Sequence, residues 1–260
     1  MDMTTDNSNV VRILWTGGWD STFQLLRVLF IDKKQVVPYY LKDENRASTS
    51  KEIKTMEKIR AKIYEVDRRM VSLLLPTETL FVSEIPEFVE ITSAVNEIRE
   101  MTVLGRQYDW LARFCEHMKI SNLQLCIHED DKAAEALRDI VINDPKRKDH
   151  FKVSDLNSST HEYTVFHYFT FPIFNLTKLE MENIAKEHRW MDIMGTTWFC
   201  HNPKNGKPCG RCSPCFYTVD EGLGWRIPRG RLVTGHVQRF AIRPLKSAIK
   251  KALMKLAKTV

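Results

Sequence analysis

Residues 10–22 read Val10-Val11-Arg12-Ile13-Leu14-Trp15-Thr16-Gly17-Gly18-Trp19-Asp20-Ser21-Thr22. Val10–Trp15 is a β-branched and apolar run, the signature of a strand. Thr16-Gly17-Gly18 is a turn, and Trp19 to Phe30 places Phe23, Leu26 and Phe30 at helical spacing. A strand entering a helix through two glycines suits an anion. The glycines let the backbone turn tightly and approach a ligand without a Cβ in the way. The helix N-terminus then offers N–H groups and the positive end of its dipole. The hydroxyls of Thr16, Ser21 and Thr22 are donors for phosphate oxygens. Asp20, an acid where an anion would sit, points to metal contact or to orientation. The spacing is neither that of the Walker loop nor that of the dinucleotide fingerprint. The plainer alternative is a Gly-Gly turn with Asp and Ser capping a helix.

Working outward, Gln35–Leu41 reads as a second strand, weakened by Pro38. Ser48 then reads as the N-cap of a charged helix running to about Arg69. Strand, helix, strand, helix predicts parallel strands with crossover helices, so the expected fold class is α/β with a mainly parallel sheet. Pro76 and Pro86 break up Leu73–Asn96, with a helix over Glu87–Ile98. Further on, Tyr108–Lys119 reads as a helix, Asn122–His128 as a buried strand and Ala133–Ile142 as a helix. Asp144–Tyr163 is polar and loop-like, Phe169–Phe174 is apolar and aromatic, and Lys178–His188 is helical. There is no internal repeat.

The 260 residues are 43% hydrophobic and 28% charged, which excludes disorder over the whole length. No apolar run approaches the ~20 residues of a membrane span, so none is expected. The segment Met1–Val11 lacks a basic stretch followed by an apolar one, so the expectation is a cytoplasmic protein whose cysteines are thiols. The net charge of +6 is unevenly spread: Arg226–Val260 holds ten Lys or Arg and no acid. Within it, Leu245, Ala248, Ile249, Ala252, Leu253 and Leu256 recur at helical spacing, with lysines around the other side. That predicts a basic amphipathic helix. Its candidate contacts are a membrane surface, a nucleic acid, a protein groove or the acidic body of the chain itself. The last two rank first, because the helix carries no aromatic anchor.

Cys200-x8-Cys209-x2-Cys212-x2-Cys215 puts four thiols within sixteen residues. Two close pairs with Gly206, Pro208 and Gly210 between or beside them suit tetrahedral zinc. Four thiolate ligands close the site, so it reads as structural. Cys115 and Cys126 sit in apolar contexts and read as packed core thiols.

The TGGWDS loop after the first strand resembles the SGGxDS loop of the PP-loop ATP pyrophosphatases. The late four-cysteine spacing is similar to that of the 7-cyano-7-deazaguanine synthase family within that superfamily. Gly105-Arg106-Gln107, the strand at Gln124–His128, Pro172 and Lys178 fall in matching order. Together they span about Val10 to Phe216.

The resemblance implies a doubly wound domain over 10–220 that includes the zinc site at 200–215, and a basic extension over 221–260. It implies ATP, Mg2+ and Zn2+ as cofactors, with adenylation of a purine-like carboxylic acid. AMP and pyrophosphate are released, and ammonia or another amine then attacks to give an amide or nitrile. Thr16, Gly17, Gly18, Asp20, Ser21 and Thr22 would hold the nucleotide, with Arg46 as a further contact. Asp20, Ser21, Arg106 and Lys178 would be catalytic, and Cys200, Cys209, Cys212 and Cys215 would bind zinc. The expected partners are ATP, the acid, the amine, a second copy in a homodimer and an acidic surface for the tail. The chain departs from the family at His128-Glu129-Asp130-Asp131-Lys132, where a Tyr-Pro-Asp-Cys segment is usual. This motivates two alternatives: a ligase using another acid or amine, such as one on a protein, and a non-catalytic nucleotide-binding module acting through its tail. A tRNA-modifying PP-loop enzyme has only the basic tail in its favour.

Overall fold

The computed structural model describes residues 9–242 apart from residues 45, 146 and 148. The amphipathic helix expected over 245–258 lies outside them. The chain forms two compact units, residues 1–198 and 199–260. The division falls before the cysteines, so they lie in the second unit.

In the first unit five strands form one parallel sheet. They are β1 (Val10–Leu14), β2 (Gln35–Lys42), β3 (Glu78–Phe81), β4 (Leu123–Gln124) and β7 (Phe169–Thr170), and their order is β3-β2-β1-β4-β7. The register pairs Val10 with Gln35, Tyr39 with Glu78, Ile13 with Gln124 and Leu123 with Phe169. The order reverses between β1 and β4. In open α/β sheets, ligands bind at such a switch point, outside the carboxyl ends of the strands.

Helices cover both faces. They include α1 (Trp19–Leu26), α2 (Thr49–Val66), α3 (Arg68–Leu73), α4 (Val89–Met101) and α5 (Gln107–Met118), then α6 (Lys132–Leu137), α7 (His161–Phe166), α8 (Lys178–Glu187) and α9 (Met191–Met194). Tyr39 and Tyr40 show the arrangement. Neighbours on a strand point to opposite faces. The Tyr39 ring meets Phe114 of α5 at 5.4 Å, while the Tyr40 hydroxyl donates to Glu52 of α2 at 2.9 Å. On the α5 side, Phe114, Cys115, Phe166 and Phe171 are fully buried in one cluster with Leu14 and Leu41.

Pro38 is accommodated inside a central strand. The Val36 carbonyl accepts from Leu75 and the Tyr39 carbonyl accepts from Trp15, so alternation turns the Pro38 nitrogen towards β3. There it falls between an isolated bridge at Val36 and the ladder that starts at Tyr39, and the neighbouring Leu74 and Leu75 carbonyls take their donors from Arg60.

Several local expectations are corrected. The long helix ends at Val66, because Asp67 is extended at φ −155° and caps α3 by accepting from the Arg69 N–H. Only Leu123–Gln124 of the strand expected over 122–128 is paired. The helix expected to Ile142 stops at Leu137. Val141–Asn143 (β5) instead pairs antiparallel with Phe151–Val153 (β6), as its β-branched residues favour. The expected 144–163 loop therefore contains β6 and the start of α7, capped by Thr160.

The second unit is built from the cysteine loop, α10 (Ser213–Asp220) and α11 (Arg229–Val237). Asn205 and Gly206, both at positive φ, close a tight turn bonded reciprocally between Lys204 and Lys207. The cysteine loop and α11 touch backbone to backbone: a Cβ added to Gly235 would collide with the Gly210 carbonyl oxygen. Arg231 of α11 donates to the carbonyls of Lys207 at 2.9 Å and Pro208 at 2.8 Å.

Candidate functional site

The Thr16–Gly18 turn leaves the carboxyl end of β1, at the switch point. Gly17 adopts φ +69°, the left-handed region. A Cβ there would also press on Thr55 and Met56 of α2 at 3.1 and 3.2 Å. Trp198 donates its N–H to the Gly17 carbonyl at 2.9 Å, and Lys51 sits over the Trp198 ring at 4.6 Å. Gly18 is the N-cap of α1 and has no side chain with which to cap that helix. The first-turn N–H groups of a helix have no intrahelical carbonyl partner.

The loop hydroxyls differ in their surroundings. Thr16 is exposed and Ser21 is buried. Thr22 is fully buried, and its Oγ1 accepts from the Trp15 indole at 3.0 Å, which ties the strand to the helix.

Asp20 and Lys178 are brought together, with Lys178 Nζ 3.6 Å from Asp20 Oδ2. Both side chains are largely buried, and Asp20 Oδ1 is buried with no hydrogen-bond partner among the described residues. Lys178 reaches this point as the first residue of α8, whose capping box is made by Thr177 and Glu180. From the same edge, His128 and Asp131 follow β4, with His128 Nδ1 3.9 Å from Asp131 Oδ2. Asp131 also caps α6 by accepting from the Ala133 N–H at 2.9 Å. Burial raises the Asp131 carboxyl above the ordinary range, and the Asp20 charge adds to this while His128 and Lys178 oppose it. Burial, with the Asp20 charge behind it, also raises the Cys126 thiol.

Two further candidates, Arg46 and Arg106, have surroundings of their own. Arg46 lies 3.7 Å from Glu52, a buried carboxylate that also accepts from Tyr40 and Ser48. Ser48 is the N-cap residue of α2, but its hydroxyl serves Glu52 and not the helix backbone. Arg106 is exposed at the N-cap of α5. Two residues on, the buried Tyr108 hydroxyl has its pKa raised by burial and then by the Asp131 charge.

Sequence reasoning missed Arg27, Gln24 and Trp198. Arg27 donates to the Pro172 carbonyl at 3.2 Å. Gln24 donates to Gln124 at 3.0 Å, and the Gln124 amide meets His150 at 3.0 Å, so polar contacts run from α1 to β4 and beyond. The one signal in the sequence was two glutamines in otherwise apolar stretches.

In the second unit, Cys200, Cys209, Cys212 and Cys215 place their sulfurs within 4.8 Å of one another, a set that can hold a metal ion. A tetrahedron with ~2.3 Å metal–sulfur bonds has edges of roughly 3.8 Å. The separations Cys209–Cys215 and Cys200–Cys212 are both 3.9 Å, and Cys212–Cys215 is 3.3 Å. Backbone N–H groups of Cys209 and Arg211 donate to the sulfurs of Cys200 and Cys209, the usual support for thiolate ligands. All six cysteines are free of disulfides.

Among the described residues, no helix is long and apolar enough to cross a membrane. No protein-family model matches the chain, and no curated protein matches it.

Proposed function

We propose that the chain is an ATP-dependent carbon–nitrogen ligase of the PP-loop type, which adenylates a carboxylic acid and passes the acyl group to an amine. The observation that carries this reading is the pairing of Asp20 with Lys178 beside the Gly17-Gly18 turn, at the β1/β4 switch point. The turn and the start of α1 supply N–H groups for the pyrophosphate end of ATP. Lys178 supplies a cation for charge that builds on the phosphates as the acid's oxygen attacks the α-phosphorus and pyrophosphate leaves. The amine nitrogen then attacks the acyl carbon, and AMP departs. The proton lost by the amine has two nearby acceptors, His128 and Asp131.

A divalent cation such as Mg2+ offsets triphosphate charge when bound. The buried and unsatisfied Oδ1 of Asp20 fits that task. Zn2+ is the natural occupant of the four-cysteine cluster, given its near-tetrahedral spacing, and its role there is structural.

The acidic segment Glu129–Asp131 favours a substrate with donor groups, such as a purine-like acid bearing an amine edge, or a cationic amine. Incubation with ATP, Mg2+, ammonia and 7-carboxy-7-deazaguanine, followed by mass spectrometry, tests the reading. AMP, pyrophosphate and an amide, nitrile or conjugate are expected. ADP and phosphate as the products would sink it.

A further inference from the structure

Beside the four cysteines the second unit carries an open groove of about 490 Å³, whose lining includes His201, Asn202, Lys204, Arg211, Ser213 and Gln238. Among the described residues no carboxylate lines it. Residues 199–260 contain thirteen Lys or Arg against two acids, and six of the thirteen follow residue 242. A divalent ion on four thiolates, two of which (Cys209 and Cys212) line the groove, would carry a net charge of about −2. The described part of the unit, with seven Lys or Arg against two acids, stays net positive beside it. Next to Gln238, Arg239 lies over the rings of Phe216 and Phe240 at 5.3 and 5.4 Å, and Phe240 is 61% exposed. His236 approaches the Phe240 ring at 4.4 Å. The groove wall thus combines cations and amide groups, and an exposed aromatic ring stands two residues along the chain from Gln238.

We infer that this groove binds single-stranded nucleic acid, with Lys204 and Arg211 on the phosphates and Phe240 as a stacking platform for a base. A positive groove supplies sequence-independent attraction to the backbone. An aromatic face holds bases of any identity, worth about 1–3 kcal/mol each. An acidic protein surface would use the cations but gain little from Phe240, and this separates the two classes of partner.

The test uses the full-length protein with its metal and a fluorescein-labelled single-stranded oligonucleotide about 20 nucleotides long, followed by anisotropy at about 50 and 300 mM KCl. Saturable binding that weakens at least tenfold with salt is expected. Lys204→Glu with Arg211→Glu should weaken it at least tenfold, and Phe240→Ala about tenfold. Zinc content and melting temperature should be unchanged in each. If the double variant loses metal, Lys204→Glu alone decides, because that side chain is exposed and Lys204 holds the turn through its backbone. Absence of binding at low salt overturns the inference, as does unchanged affinity in the groove variants. Displacement of the oligonucleotide by polyglutamate as readily as by unlabelled oligonucleotide, with no effect of Phe240→Ala, assigns the groove to an acidic protein instead.

Discussion

Lys178 Nζ and Asp20 Oδ2 stand 3.6 Å apart, joining the first helix of the chain to the helix that follows the last strand of the sheet. The pair is largely buried, and the second Asp20 oxygen has no hydrogen-bond partner among the described residues. A buried carboxylate oxygen left unsatisfied costs stability unless a ligand completes it. Asp20→Asn should leave the protein folded while lowering pyrophosphate release about 10²-fold or more. Lys178→Met should also lower turnover by roughly that factor, since removing one preorganised stabiliser of developing charge costs about this much. Pyrophosphate release and thermal melting measured on the same preparations check both. Unchanged turnover in either variant would remove that side chain from the chemistry.

Gly17 carries two independent demands: a left-handed backbone and close contact with Thr55 and Met56. An L-residue in that conformation costs about 1–2 kcal/mol before any clash is counted. Gly17→Ala should lower the melting temperature by roughly 2–8 °C, following the entropy scaling for a domain of this size. It should reduce ATP binding more than stability, because the strain falls on the turn. Calorimetric titration with a non-hydrolysable ATP analogue, beside a melting curve, separates the two effects.

The parallel sheet was legible because Val10–Leu14 and Gln35–Lys42 are long apolar runs divided by a helical pattern. The strands that were missed or misjudged are short. Leu123–Gln124 contributes two residues to its ladders, and its neighbours leave the sheet to carry His128 and Asp131 towards the site. Glu78–Phe81 lies between two prolines and is only partly buried, so it lacks the alternation that marks a strand. The Asp20 loop and the cysteine cluster were legible because each is local in sequence. The Asp20–Lys178 contact was not, although both residues were candidates, since nothing in the order of residues says which strand end faces which helix. The surroundings of Arg46 were hidden for the same reason. Its partner Glu52 reads as one more charged position on a helix, yet it is buried and shared with Tyr40 and Ser48.

Cys115 is fully buried in α5, and burial raises its thiol well above the ordinary value. Cys126 is raised by burial and by Asp20. A thiol with a raised folded pKa stabilises the fold fully below its unfolded value, which lies near 9. That contribution is lost as pH rises through the interval up to the folded value, because the unfolded thiols ionise first. Within the interval each such thiol favours unfolding by up to ~1.4 kcal/mol per pH unit. Denaturant midpoints should therefore fall between pH 9 and 10.5, and Cys115→Ala should flatten the fall even though it lowers stability at pH 7. Iodoacetamide at pH 8 should leave Cys115 unmodified in the native, metal-loaded protein. Rapid alkylation of Cys115 under those conditions would contradict its burial.

The sequence invites treating everything after Arg226 as a detachable basic tail, but the packing of the second unit divides that segment in two. Arg231 bonds the carbonyls of Lys207 and Pro208, and Gly235 meets the Gly210 carbonyl so closely that no side chain fits between them. Arg239 is paired with Asp220 at 2.6 Å. These contacts brace the loop that carries Cys209 and Cys212. Truncation before Arg226 should therefore lower zinc content below one per chain and make the cysteine loop protease-sensitive, whereas truncation after Ile242 should retain the metal. Gly235→Leu should reproduce the shorter truncation, because its Cβ alone would collide with backbone. Cys212→Ser should lower metal content and thermal stability together, since binding free energy at such a site is folding free energy. Metal analysis and limited proteolysis on the four proteins distinguish the outcomes. Full zinc occupancy in the chain ending before Arg226 would show that the cysteine loop folds without α11.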